Sequence, residues 1–214
     1  MEEGLVRTAR QELETKLGSS LATGGSLREL VKKKTIGKAC LMLDVSYSMD
    51  AEIATGERAI DALRKIVADV RAKVIVPTAA FGLQGKTEMV NDRVVHVQVG
   101  MLEGDEIPEP AGGTPLAEAI AFARERGFKH LIVVSDGGPN DADAAIEEAK
   151  KFGGQIDAIF VGDDGPGAEF MAQLAALTGG TGQLGDLAQL QLMSTTIRGL
   201  LGSGQGQIGG AIQL

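Results

Sequence analysis

Apolar residues along the chain fall into two kinds of segment that alternate. Short continuous apolar runs are typical of strands buried on both faces of a parallel sheet. They predict strands at 39–44, 73–81, 130–135 and 155–161, with a short glycine-rich strand near 181–184. Residues 90–99 instead alternate between valine and polar side chains, which predicts a half-exposed, antiparallel edge strand.

Apolar residues at helical spacing lie between these strands. They predict helices over about 51–72, 116–127, 141–152, 167–177 and 186–201, with Asp141 capping the third. Strands that alternate with helices favour an α/β fold. We therefore expect a doubly wound, Rossmann-like, mostly parallel central sheet with one antiparallel edge strand and helices on both faces.

The two ends of the chain differ from this pattern. Residues 1–35 predict a helical extension, with an amphipathic helix over 2–17 and a short helix at 27–31. Residues 202–214 are rich in glycine and glutamine and predict a flexible tail. The α/β domain is accordingly expected to span residues 36–201.

Composition narrows the class of partner and the compartment. Twenty-one basic and 29 acidic residues give a net charge of −8, which disfavours nucleic acid as a partner. The single cysteine, Cys40, excludes an internal disulfide and is expected to be a core residue of the first strand. Nothing resembles a signal peptide or a membrane span of ~20 apolar residues, so we expect a cytoplasmic protein with no membrane partner.

Oxygen-bearing side chains stand where the first predicted strand ends. Asp44, Ser46 and Ser48 occupy every second position there, so the three can face one side. The carboxyl edge of an open α/β sheet is where ligands bind. One carboxylate and two hydroxyls form part of the oxygen shell that a small hard cation such as Mg²⁺ prefers.

Two later segments can complete such a shell. Gly112-Gly-Thr-Pro-Leu116 offers the hydroxyl of Thr114, and Val133-Val-Ser-Asp-Gly137 offers the carboxylate of Asp136 at the end of another predicted strand. Thr114 also has a simpler interpretation. It could cap a helix that begins at Pro115, a role that stabilises a helix by about 1 kcal/mol.

The three ordered segments, Asp-x-Ser-x-Ser, Gly-Thr-Pro-Leu and Ser-Asp-Gly, resemble the von Willebrand factor A (VWA) domain and its metal-ion-dependent adhesion site (MIDAS). The resemblance covers roughly residues 36–201. It implies a VWA fold and a cation, Mg²⁺ or alternatively Mn²⁺, at a site formed by Asp44, Ser46, Ser48, Thr114 and Asp136. It also implies a non-catalytic module whose cation takes a Glu or Asp carboxylate of a partner protein. Intracellular members of the family often work with AAA+ ATPases in complex assembly.

Two other functions remain open from the sequence. A Mg²⁺-dependent phosphoryl-transfer hydrolase could use Asp44 as nucleophile, although Ser46 stands where the haloacid-dehalogenase type has a second aspartate. A serine hydrolase is disfavoured because no Gly-x-Ser-x-Gly turn surrounds Ser46, Ser48 or Ser135. The other alternative is a structural subunit with a vestigial metal site.

Two glycine-rich segments imitate nucleotide-binding motifs. Residues 82–87 resemble part of a phosphate-binding loop, but Ala80 replaces the required glycine and no helix is expected to follow, so we interpret them as a connection between strands. Residues 204–209 match a dinucleotide pattern with no room after them for the helix that such a site needs.

Overall fold

The structure, a computed structural model, describes residues 34–35, 38–90, 93–162 and 165–203. The chain divides into two units, Met1–Lys34 and Thr35–Leu214, and the fold below is that of the second. The helices predicted at 2–17 and 27–31, and the tail from 204 onwards, lie outside the described residues. Among the helices described, none is long and apolar enough to cross a membrane.

A six-stranded mixed sheet forms the centre of this unit. Its order is β5-β4-β2-β6-β7-β8, and β5 alone of these six runs antiparallel to its neighbour. The described strands are β1 (Lys34–Thr35), β2 (Ala39–Asp44), β3 (Val74–Ile75), β4 (Thr78–Val90), β5 (Arg93–Met101), β6 (His130–Ser135), β7 (Gln155–Phe160) and β8 (Gly182–Leu184). The predicted parallel sheet with an antiparallel edge strand is confirmed.

Helices cover both faces of the sheet. They are α1 (Ala59–Lys73), α2 (Leu116–Glu125), α3 (Ala142–Phe152), α4 (Gly165–Leu177) and α5 (Leu190–Ser203), with a 3-10 turn at Tyr47–Asp50. Leu41 and Leu43 of β2 pack with α1 and α5, whereas Cys40 and Met42 pack with α2, α3 and α4. Successive side chains of a strand point to opposite faces, so β2 contributes to both halves of the core.

Helix α1 begins later than its apolar spacing predicted. The expected helix over 51–72 starts only at Ala59, because residues 51–58 form a turn closed by an isolated bridge between Glu52 and Arg58. Gly56 in this turn has a φ of +80°, which a continuous right-handed helix does not allow. The last helix is also delayed, to Leu190, because the side chain of Asp186 accepts a hydrogen bond from Ala188 N (2.9 Å) in a preceding turn.

The second predicted strand was wrong at both ends. Helix α1 continues to Lys73, and after the short β3 the chain enters the sheet at Thr78, beyond Pro77. Strand β4 then continues to Val90, so residues 82–87 belong to the strand and do not connect two strands. Its pairing with β5 is interrupted after Phe81 and resumes at Lys86 in a shifted register. Such a shift indicates a β-bulge, which the pairing of the two strands on either side holds in place.

Several smaller predictions are confirmed. Asp141 caps α3, because its Oδ1 accepts a hydrogen bond from Ala144 N (2.9 Å). Cys40 is fully buried, and burial raises the pKa of its thiol to about 12, so it is an unreactive core residue. His130 has the structural role expected of it, since Nε2 donates a hydrogen bond to Asp157 Oδ2 (2.6 Å) inside the protein.

The Asp157 carboxylate generates a prediction about stability. Asp157 is fully buried and also accepts hydrogen bonds from Thr181 N (2.7 Å), Thr181 Oγ1 (2.9 Å) and Gln155 Nε2 (3.0 Å). Asp157→Ala would leave these donors and His130 without their acceptor, and we expect a loss of about 3–5 kcal/mol in the free energy of unfolding. Urea unfolding measures this loss, with the isosteric Asp157→Asn expected to lose less. Equal stability of Asp157→Ala and the parent protein would contradict it.

Candidate metal centre

The three segments singled out in the sequence meet at one edge of the sheet. Strands β2 and β6 are parallel neighbours with Leu43 opposite Val134, so Asp44 is level with Ser135 and Asp136 follows one residue later at the same edge. The Ser48 hydroxyl donates a hydrogen bond to Asp136 Oδ1 (2.8 Å) and lies 2.9 Å from the Ser46 hydroxyl. These contacts connect the first and third segments directly.

Thr114 reaches the same place from the loop before α2. A Cβ added to Gly137 would lie 3.9 Å from Ser48 Oγ and 4.0 Å from Thr114 Oγ1, so both hydroxyls face the same small space beside Asp136. Thr114 is not a helix cap. Pro115 occupies the N-cap position of α2, and no side chain caps that helix. Within the described residues the Thr114 hydroxyl makes no hydrogen bond, so it is free to bind a ligand.

Asp44 lies beneath these hydroxyls and is fully buried. Its Oδ1 accepts a hydrogen bond from Ser46 N (2.7 Å), and its Oδ2 accepts one from Ser135 Oγ (2.5 Å). Burial raises the pKa of Asp44 to about 6. The bonds from Ser135 and Ser46 lower the pKa in part, and the nearby carboxylate of Asp136 raises it further. In the described part of the chain, no Lys, Arg or His forms an ion pair with Asp44.

Asp136 is half-buried at the mouth of the site. Desolvation raises the pKa of its carboxyl group, and the hydrogen bond from Ser48 lowers it in part. Two carboxylates thus lie near one another in a partly dry environment, and neither has an ion-pair partner among the described residues. The repulsion between two such carboxylates is reduced when one of them takes up a proton or when a cation binds between them.

Two residues that hold the site together were missed in the sequence. Ser135 donates to Asp44, and its place opposite Asp44 follows from the register of β2 and β6. The side-chain Oδ1 of Asn140 accepts a hydrogen bond from Thr114 N (2.9 Å), and the backbone N–H of Asn140 donates one to Thr114 O (2.9 Å). No sequence pattern relates residues 114 and 140, so only the tertiary structure could identify Asn140.

Gly82 allows the loops to approach each other. It has a φ of +83°, and a Cβ at this position would lie 2.7 Å from Ser46 N and 2.8 Å from Gly113 O. Beside it, Tyr47 N donates to Gly112 O (3.1 Å). Gly82, the first residue of the segment that resembles part of a phosphate-binding loop, therefore lies in contact with both the first and the second segment.

Arginines of α1 and the turn before it bind the same loops from outside. Arg58 donates to Asp50 Oδ1 (3.0 Å), two residues after Ser48, and to Glu109 Oε2 (3.0 Å), in the loop that leads to Thr114. Arg64 donates to the other oxygen of Glu109 (2.9 Å) and to Ile107 O (2.8 Å). Single exposed ion pairs contribute little, but this network joins two segments of the site to one helix.

The donor set fits a small hard cation. Among the described residues, no group of three or more His, Cys, Asp or Glu side chains is placed to hold a metal ion, so a transition-metal site of that type is not indicated. The available ligands are the Thr114 and serine hydroxyls with two carboxylates, all oxygen atoms, and Mg²⁺ and Mn²⁺ accept such ligands together with water. The assignment of these five residues as metal ligands stays a prediction.

The buried position of Asp44 also bears on the phosphatase alternative. A nucleophile must be reached by a bulky phosphoryl group, whereas the Asp44 side chain is fully buried and both of its oxygens accept hydrogen bonds. Its charge can still act on a cation held above it. The geometry therefore favours a binding site over covalent phosphoryl transfer.

Comparisons with known proteins bear on the fold. No protein-family model and no curated protein sequence matches the chain. Solved structures do match. The SpRpn10 VWA domain aligns with a TM-score of 0.49 and 12% identity, over 85% of this chain and 100% of that chain. Manganese-loaded Plasmodium vivax TRAP aligns with a TM-score of 0.46 and 15% identity, over 79% and 74%. The human COPII-coat protein Sec24c aligns with a TM-score of 0.47 and 12% identity, over 79% of this chain and 32% of that one.

The strand order and the single antiparallel edge strand confirm the expected α/β fold, a mostly parallel sheet with one antiparallel edge strand and helices on both faces. At these identities and TM-scores the alignments do not bear on the chemistry of the site. The chemistry of the site follows from its own residues.

The raised pKa of Asp44 predicts how stability and cation binding change with pH. Without a cation, Asp44 of the folded state takes up a proton near pH 6, whereas the ordinary pKa of an aspartate is 3.8. The contribution of Asp44 to the stability of the folded state therefore increases as pH falls through 6. A cation competes with that proton. We therefore expect the stabilisation by magnesium to shrink between about pH 7 and pH 5.

The measurement is the melting temperature with and without magnesium across this pH range. Asp44→Asn serves as the control, because it cannot titrate and should lose this pH dependence. A magnesium effect that is equally large at both ends of the range would argue against Asp44 as part of the site.

Proposed function

We propose that this protein is a protein-binding module whose divalent cation coordinates a Glu or Asp carboxylate of a partner protein. The cation is Mg²⁺, with Mn²⁺ as the alternative, held by Asp44, Ser46, Ser48, Thr114 and Asp136. The observation that carries the proposal is the convergence of the Ser48 and Thr114 hydroxyls beside Asp136, above a buried Asp44 that has no counter-ion in the described part of the chain.

Each residue has a defined part in this proposal. Asp44, fixed by Ser46 N and Ser135 Oγ, supplies negative charge from beneath, and Asp136 orients the Ser48 hydroxyl. Asn140 holds the backbone of Thr114, so that the threonine hydroxyl faces the space beside Gly137. A bound cation would supply positive charge and an open coordination position for an anionic oxygen.

The proposal fits recognition of an acidic protein segment and not of nucleic acid. Two carboxylates balance the formal charge of a divalent cation, but its other ligands would be neutral hydroxyls, so an open coordination position would still accept an outside carboxylate at contact. The chain's net charge of −8 would repel a polyanion whose phosphates must be neutralised over a wide surface. No bond needs to be made or broken, so we propose no catalytic residue.

The metal site predicts a change in thermal stability. If the dissociation constant for magnesium is about 100 µM, ~1 mM magnesium should stabilise the folded state by about 1.4 kcal/mol. For a chain of this size that corresponds to a rise of roughly 3–6 °C in Tm. Differential scanning fluorimetry measures the shift, and EDTA should reverse it.

Matched variants locate the effect. Asp44→Ala and Thr114→Ala should lose the magnesium shift, whereas Thr195→Ala should keep it, because the Thr195 hydroxyl binds its own helix at Gln191 O (2.8 Å). A full shift in Asp44→Ala would place the cation elsewhere.

Capture experiments test the binding function. The full chain, immobilised in magnesium, should retain proteins from its source cell that EDTA releases, and Thr114→Ala should not retain them, because the cation bridges the two proteins. Retention of the same proteins by Thr114→Ala and in EDTA would support the structural-subunit alternative.

A further inference from the structure

A groove opens directly beside the candidate metal centre. Its volume is about 540 Å³, and Ser48 and Asp136 form part of its wall. The turn after the 3-10 segment, the end of β7 and the turn after β8 complete it. Ligand pockets commonly occupy about 300–1,000 Å³, so this groove can hold more than one side chain.

Part of the lining of the groove is apolar and firmly supported. Ile53, Val161 and Leu187 line it, and all three also pack against the core under α1 and α5. The backbone of Ile53 is held in its turn, because Ile53 N donates to Glu57 O (2.9 Å) and Gly56 N donates to Ile53 O (2.8 Å). An apolar side chain of a partner could therefore pack against this part of the lining.

The rim of the groove is negatively charged. Glu52 and Asp186 are exposed and line it, and within the described residues neither forms an ion pair. The Asp186 carboxylate accepts bonds only from neutral groups in its own turn, Ala188 N (2.9 Å) and Gln189 Nε2 (2.8 Å). Both charges would therefore repel a further acidic residue and attract a Lys or Arg of a partner.

Other acidic side chains near the centre are ion-paired. Glu109 is paired with Arg58 and Arg64, and Asp105 lies 3.5 Å from Arg71. Glu52 and Asp186 differ from these two in having no ion-pair partner among the described residues, so their charge is available to a partner.

We propose that the partner segment is a short peptide in which the acidic residue at the cation has a large apolar residue and a Lys or Arg close to it in sequence. The groove takes the apolar side chain, and Glu52 and Asp186 bind the basic one. The inference rests on the proposed function, because the acidic residue is placed by the cation. A uniformly acidic segment fits this surface poorly.

Selection from a phage library of random linear peptides tests the inference. The full chain is immobilised in magnesium, and bound phage are eluted with EDTA. We expect the eluted peptides to share one Asp or Glu with a Leu, Ile, Met or Phe and a Lys or Arg a few residues away. Replacing the apolar residue of a selected synthetic peptide with Ala should weaken its binding about tenfold.

Variants of the protein assign the basic residue to the rim. The double variant Glu52→Gln and Asp186→Asn should bind such a peptide roughly three- to tenfold more weakly, while the magnesium shift in Tm stays unchanged. Replacing the peptide's Lys or Arg with Ala should remove this difference, as a double-mutant cycle requires. Glu125→Gln, at the far end of α2, is the matched control and should not alter binding.

The possible outcomes separate the two proposals. Peptides that share only an acidic residue, and that bind the double variant as well as the parent, would overturn the groove inference and leave the metal-dependent function in place. A chain that shows the magnesium shift but yields no EDTA-eluted peptide would overturn both. The chain could also self-associate in magnesium, and the double variant could abolish that association. A second copy of the chain would then occupy the groove, which would contradict the inference.

Discussion

A buried carboxylate without a counter-ion is the constraint on which the rest of this site depends. Asp44 is held in place by one backbone N–H and one serine hydroxyl, and no basic side chain of the described chain approaches it closely enough to form an ion pair. Burying such a charge is costly unless a proton or a cation balances it. The hydroxyls of Ser48 and Thr114 lie where a cation could provide that balance. Stability, pH response and binding are therefore expected to change together.

The sheet topology explains why the site lies at the end of β2. Its neighbours are β4 on one side and β6 on the other, so connections leave in opposite directions and open a crevice at the carboxyl edge. Alternate residues of β2 anchor the strand in both halves of the core. A rigid central strand thus ends in the loop that carries Ser46 and Ser48, which limits how far these hydroxyls can move.

The loops around the crevice are held together by direct contacts with one another. Gly82 admits the backbone of Ser46 and Gly113, Asn140 holds Thr114, and Arg58 joins the turn at Asp50 to the loop at Glu109. These arginine contacts also neutralise part of the acidic charge near the site. Glu52 and Asp186, which line the groove beside it, have no ion-pair partner among the described residues.

The sequence by itself determined the features that depend on local patterns. The buried runs predicted β2, β6 and β7, and the spacing of Asp44, Ser46 and Ser48 placed three oxygen donors on one side of a loop, because strand ends present alternate residues together. Tertiary structure decided everything that depends on distant partners. Residues 82–87 became part of β4 through pairing with β5, and α1 began late because a bridge between Glu52 and Arg58 closes the preceding turn. The supporting residues Ser135, Asn140 and Arg58 have no local signal, since each acts on a residue brought near only by folding. Local propensities act over a few residues, whereas burial and hydrogen bonding between distant segments select the final arrangement.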